Sequence, residues 1–163
     1  MMGVAEDVDL HVGTLSKAFG AQGGFVATSR GLKSWLMNRG RSFVYSTSLP
    51  TPVVAAAHEA LRVSQDEPWR RDHLWRLVRR LGDGMGVRAD SPIVPLIVGS
   101  EDAALSAMSG FLDMGMHVPA IRPPTVAPGT SRLRISLSAA HSVEDVDRCV
   151  PFFGAGLRIR FEI

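Results

Sequence analysis

The stretch Gly13-Thr14-Leu15-Ser16-Lys17-Ala18-Phe19-Gly20-Ala21-Gln22-Gly23-Gly24 sets one lysine among small residues, directly after the alternation Val8-Asp9-Leu10-His11-Val12. Glycine weakens strands and helices and is kept where backbone must turn tightly or approach a ligand. A lysine in that setting is placed to face something bulky. Thr14 precedes it by three residues and can reach an anion near the same spot, while Ser16 offers a second hydroxyl. An ammonium is a poor nucleophile at neutral pH, but nearby positive charge or desolvation lets lysine form an imine with an aldehyde. An isolated lysine is ordinarily a solvated loop residue. Hydroxyls before Lys17 and glycines after it favour the reactive reading.

Outward from this segment, residues 8–12 and 24–28 are short, β-branched and bounded by Gly or Ser, which predicts a strand on either side of the lysine. Residues 30–37 have helical spacing, and Phe43-Val44-Tyr45 reads as a brief buried strand. Ser46-Thr47-Ser48-Leu49-Pro50-Thr51-Pro52 follows as a hydroxyl-rich turn, with Thr51 as N-cap and Pro52 in the first turn of a helix continuing over 53–63. Composition shifts around Ser64-Gln65-Asp66-Glu67-Pro68. A domain boundary is placed there, giving residues 1–65, then residues 66–150, then a tail, 151–163.

Pro68 opens a long amphipathic helix with Trp69, His73, Leu74, Leu77, Val78 and Leu81 on one stripe, ended by Gly82, Gly84 and Gly86. A strand over 93–98, a helix over 102–114, strands over 117–121 and 132–137, and a helix over 143–150 complete the pattern. Strand and helix alternate throughout, so the fold class is α/β, with a compact α+β second half.

At 45% hydrophobic and 21% charged residues the chain lies well away from the disordered class and buries a core. Its net charge of +2 is spread along arginines such as Arg70, Arg71, Arg76, Arg79 and Arg80, which argues against a nucleic-acid partner. No apolar run is long enough for a membrane helix, and Met1-Met2-Gly3-Val4-Ala5-Glu6-Asp7 is too acidic for a secretory signal. Cys149 is the only cysteine, so a reducing compartment is expected, the cytoplasm or an organelle.

A second constellation is Arg122-Pro123-Pro124-Thr125-Val126-Ala127-Pro128-Gly129-Thr130. Prolines stiffen the loop, so the Arg122 guanidinium is held in one orientation, either to grip a carboxylate in a bidentate fork or to form a structural ion pair. Arg132 and Arg134 share one face of the following strand, at the surface or toward a cleft. Ser46, Thr47 and Ser48 precede a helix, where hydroxyls cap the end or hold a phosphate. His141 is read as structural, Cys149 as core, and no histidine or cysteine spacing supports a metal.

Gly13-Thr14-Leu15-Ser16-Lys17-Ala18-Phe19-Gly20, Tyr45-Ser46-Thr47-Ser48-Leu49-Pro50 and Arg132-Leu133-Arg134-Ile135-Ser136-Leu137-Ser138-Ala139-Ala140-His141 together resemble the α-oxoamine synthases. The resemblance implies the C-terminal part of the large domain of a fold-type-I pyridoxal-phosphate transferase, followed by its small α+β domain. It implies pyridoxal 5'-phosphate as cofactor, with Lys17 as the imine-forming lysine and base, Thr14 on the phosphate, and Thr47 reaching a neighbouring subunit's phosphate in a homodimer. Arg122 is then the amino-acid carboxylate ligand, with Thr125 beside it. Ile121-Arg122-Pro123-Pro124-Thr125-Val126 most resembles the members that condense L-alanine with pimeloyl-CoA, or pimeloyl-carrier protein, in biotin biosynthesis. Members condensing glycine or serine, and a noncatalytic subunit pairing with a complete synthase, are the alternatives. Missing from the resemblance are the aromatic residue that stacks on the cofactor and the aspartate of its pyridine nitrogen, and the tail departs from the family. The chain is therefore expected to begin inside a fold and to be inactive alone.

Overall fold

The computed structural model describes residues 3–151, so the divergent tail beyond Pro151 lies outside the described residues. The chain divides into two compact units, Met1–Glu67 and Pro68–Ile163.

In the first unit β1 (Leu10–Thr14) and β2 (Gly24–Thr28) form an antiparallel hairpin, with Val12 opposite Val26 and Thr14 opposite Gly24. The first strand starts and ends two residues later than the alternation predicts. Gly13 and Gly24 make this possible: a Cβ on Gly24 would lie 2.7 Å from the Gly13 carbonyl oxygen, so the backbones come close only without one. Then α1 (Arg30–Arg39) starts at Ser29, whose hydroxyl accepts from the Leu32 amide at 3.4 Å.

Phe43-Val44-Tyr45 is not a buried strand. Phe43 and Val44 close the short helix α2 (Arg41–Val44), their amides both donating to the Gly40 carbonyl at 2.9 Å, and all three side chains are exposed. Three apolar residues do not define a period, and the local carbonyl satisfied the backbone before any strand partner did. The next helix, α3 (Thr51–Asp66), is capped by Pro50 rather than Thr51, with Val53 and Val54 both donating to the Pro50 carbonyl. It runs on past residue 63 to Asp66, where Arg62 bridges Glu59 and Asp66 one turn to either side. Among the described residues of this unit the buried apolar side chain is Ala21, while Val12, Phe25, Trp35, Phe43 and Tyr45 stay exposed.

The second unit has its own core. Its elements are α4 (Trp69–Met85), β3 (Ile93–Gly99), α5 (Glu101–Asp113), β4 (Ala120–Ile121), β5 (Ser131–Ser136) and α6 (Val143–Cys149). The sheet is antiparallel in the order β3-β5-β4, with Leu96 opposite Leu133 and Ala120 opposite Leu133 on the other side. Leu77, Leu81, Leu96, Phe111, Leu133 and Val146 close the core between sheet and helices. The alternation on β5 is realised: Ser131, Leu133 and Ile135 point inward.

Three predicted details change. Trp69 is 53% exposed rather than on the buried stripe, its ring 4.7 Å from the Arg70 guanidinium. Gly82 and Gly84 lie inside α4, and Gly86, with φ 69°, ends it. Glycine is retained at 84 for close approach, since a Cβ there would meet Val150 Cγ2 at 2.6 Å. The strand predicted over 117–121 shrinks to two residues because Pro119 has no amide hydrogen for the ladder, although its carbonyl accepts from Arg134 at 3.0 Å. Ser142 caps α6 in a capping box with Asp145, whose carboxyl is thereby held below the usual range. Cys149 is core, and burial pushes its thiol up to about 11. Among the described residues no helix is long and apolar enough to cross a membrane.

Candidate active site

The loop between β1 and β2 carries Lys17, and its shape follows from backbone bonds. The Leu15 amide donates to Gly23 O at 2.9 Å, Ala21 to Leu15 O at 2.8 Å, and Gly20 to Lys17 O at 3.0 Å. Gly20 and Gly23, at φ 59° and 102°, take conformations that side-chain-bearing residues rarely adopt. Ala21 tucks under the loop, 7% exposed, and Lys17 is left exposed at its tip.

Two hydroxyls precede the lysine in the chain and bond to one another. Thr14 Oγ1 and Ser16 Oγ are 2.7 Å apart, and the Ser16 amide donates to Thr14 Oγ1 at 3.1 Å. Thr14 ends β1, and Lys17 follows it on the loop. The turn bearing Thr47 is anchored to that loop through Leu49, whose Cδ1 lies 2.7 Å from where a Cβ on Gly23 would stand. Thr47 itself is exposed.

Arg122 and Thr125 belong to the second unit. Arg122 follows β4, and the Thr125 amide donates to its carbonyl at 3.0 Å, closing a turn over the cis Pro123–Pro124 bond. The Arg122 guanidinium faces Glu101 in an exposed ion pair of 3.6 Å. Glu101, in the first turn of α5, was not singled out by its spacing. It directly follows Ser100, whose hydroxyl caps α5 by accepting the Ala103 amide at 3.2 Å, whereas its approach to Arg122 depends on how α5 packs on the sheet. Arg132 is half-buried and donates to its neighbour Thr130 O at 3.0 Å, while Arg134 is exposed. His141 is structural: its Nδ1 accepts from the Ser138 amide at 3.1 Å and its carbonyl lies 2.9 Å from His73 Nε2.

Similarity to known proteins bears on this arrangement. An 8-amino-7-oxononanoate synthase of Arabidopsis thaliana is 49% identical over 154 residues, 91% of this chain and 32% of that protein. One from Anaeromyxobacter dehalogenans is 49% identical over 152 residues, 90% of this chain and 38% of that protein. The chain thus spans about a third of the length of these curated relatives.

Among solved structures, the Sphingomonas wittichii serine palmitoyltransferase superposes with a TM-score of 0.86 at 36% identity, over 93% of this chain and 40% of that one. The 8-amino-7-oxononanoate synthase of Francisella tularensis shares the fold, with a TM-score of 0.75 at 22% identity over 88% of this chain and 44% of that one. The expected fold class, part of a fold-type-I transferase, is therefore the observed one. Residues 1–153 match the model of aminotransferase class I and II, and the chain belongs to that family.

Proposed function

We propose that this chain is part of a pyridoxal-phosphate-dependent acyltransferase that condenses L-alanine with pimeloyl-CoA, or pimeloyl-carrier protein, and releases the carrier thiol and carbon dioxide to give 8-amino-7-oxononanoate. The observation that carries this reading is the 49% identity to synthases of that name, with an exposed Lys17 following the bonded Thr14–Ser16 hydroxyl pair in the chain. The residues present fit the cofactor: an exposed primary amine for its aldehyde, hydroxyl donors for its phosphate, and glycines that let the loop turn closely around it.

When bound, pyridoxal phosphate supplies a conjugated electron sink for the pair left when an amino acid loses its Cα proton. Lys17 Nζ would hold the cofactor through its aldehyde and would serve as the base that takes the amino acid's Cα proton and later returns one. Thr14 Oγ1 donates to the phosphate. Arg122 binds the amino-acid carboxylate, exchanging its weak Glu101 contact for a charge-assisted fork, with Thr125 at the same turn. Thr47 contacts a phosphate across a homodimer.

Condensation of serine or glycine is the second reading, favoured by the 0.86 TM-score to serine palmitoyltransferase. Assay of the intact polypeptide carrying these residues with alanine, glycine and serine against several acyl-CoAs decides between them. Preference for alanine with pimeloyl-CoA is expected, and preference for another pair overturns the assignment. Borohydride reduction in the presence of cofactor should label Lys17, and the Lys17→Ala variant should lose both the label and the turnover.

A further inference from the structure

Helix α4 carries five arginines and two aspartates, an excess of three positive charges, whereas the whole chain has a net charge of +2. The rest of the chain is therefore slightly negative, and the positive charge is concentrated on one element. Asp72, Arg76, Arg79 and Asp83 follow at steps of four, three and four, so they share one stripe of the helix surface. All four are exposed, while Leu77, Val78 and Leu81 bury the opposite side in the core. Two tryptophans border the stripe: Trp69 one turn before Asp72, and Trp75, 40% exposed, one turn before Arg79. Arg80 is matched by Asp147 of α6, whose Oδ2 accepts from its Nη2 at 2.8 Å. Among the described residues Arg79 has no ion pair, and Arg76 reaches the His73 ring at 3.4 Å. Tryptophan and arginine are the residues that protein interfaces enrich, and guanidinium groups without a partner match carboxylates.

We propose that this face of α4 docks the carrier protein of the acyl donor through an acidic surface on that partner, with carboxylates meeting Arg76 and Arg79 and apolar side chains meeting Trp69 and Trp75. This docking role rests on the acyltransferase reading above and selects between its two acyl donors. A helix face is convex and has no cleft for a nucleotide such as CoA, whereas it suits a protein surface. The charge order along the stripe is acidic, basic, basic, acidic. A protein can match it with the opposite order, which a uniformly anionic membrane cannot. Two copies of the chain are a poor fit in register: whether parallel or antiparallel about the middle of the stripe, arginine meets arginine. Docking sets where the carrier sits, and the carrier's flexible arm brings the thioester to the site.

The test gives the intact polypeptide L-alanine with either of two donors, pimeloyl-CoA and the pimeloyl thioester of an acyl carrier protein. In a variant carrying both Arg76→Glu and Arg79→Glu, the KM for the carrier donor should rise about tenfold, the combined effect of two exposed charge pairs. The KM for pimeloyl-CoA and kcat should stay unchanged, which also shows that the variant folds. Arg76→Lys with Arg79→Lys, which keeps both charges, should retain most of the parent's affinity. Binding of the unacylated carrier protein, measured by isothermal titration calorimetry, should show the same loss without depending on turnover. An unmoved carrier KM overturns the proposal, as does an equal rise with both donors. So does binding of the parent protein to phosphatidylglycerol vesicles, lost in the Glu variant, with no binding of the carrier. If neither thioester is condensed with alanine, it is the acyltransferase reading that fails, and the calorimetric comparison still decides the docking face.

Discussion

Leu49 packs its Cδ1 into the space that a side chain on Gly23 would occupy, 2.7 Å from the Cβ position. The end of the hydroxyl turn is thereby seated on the loop that presents Lys17, and the loop's geometry depends on that glycine twice: once for its φ of 102° and once for its missing methyl.

Replacing Gly23 by alanine should therefore cost about 1 to 3 kcal/mol, the range for backbone held in a sparsely populated conformation, with displacement of Leu49 in addition. Urea unfolding checks the stability, and borohydride labelling of Lys17 checks the loop. Gly31→Ala is the control: its Cβ meets nothing within 4 Å in helix α1, so it should be neutral or slightly stabilising.

For Arg122→Ala, the KM for the amino acid should rise roughly tenfold with kcat changed less, the lower end of the effect of a charge-assisted hydrogen bond. Glu101→Gln should lower that KM, because it removes the carboxylate that competes for the guanidinium. Steady-state kinetics against amino-acid concentration measures both. A KM unmoved by either change would take Arg122 out of the site.

Acid should loosen the contact between α4 and α6. The Arg80 guanidinium, whose Nη2 donates to Asp147 Oδ2 at 2.8 Å, holds the Asp147 carboxyl below the usual range. A carboxyl depressed in the fold adds stability above its unfolded pKa of about 3.9, and that stability is lost as pH falls through the lower, folded value. Asp147→Asn should thus be less stable at neutral pH and converge on the parent protein in strong acid, as read from urea midpoints between neutral and acid pH. Added salt should shrink the difference, since both side chains are about half exposed.

Cys149 offers a probe of the second unit's core. Its thiol, pushed up to about 11 by burial, stays protonated in the fold at pH 8. In the unfolded chain a thiol titrates near about 8.5, so alkylation by iodoacetamide should be slow in the native protein and fast in urea. By the same shift, stability should fall as pH rises above about 8.5 toward the folded value. Rapid native alkylation at pH 8 would mean that α6 opens readily.

What this sequence determines by itself is local. The α4 stripe of Leu77, Val78 and Leu81, the alternation of Leu133 and Ile135 with Arg132 and Arg134, and the run of hydroxyls and glycines around Lys17 were all legible, because each depends on a period or on neighbours a few residues apart. Tertiary structure decided the rest. Gly82 and Gly84 stayed within α4, Gly84 giving room to Val150. The contacts of Leu49 with Gly23 and of Glu101 with Arg122 join residues far apart in the chain. Spacing carries no record of such pairs: they exist only once packing has closed the loops between them, and side-chain volume and charge then select which groups meet.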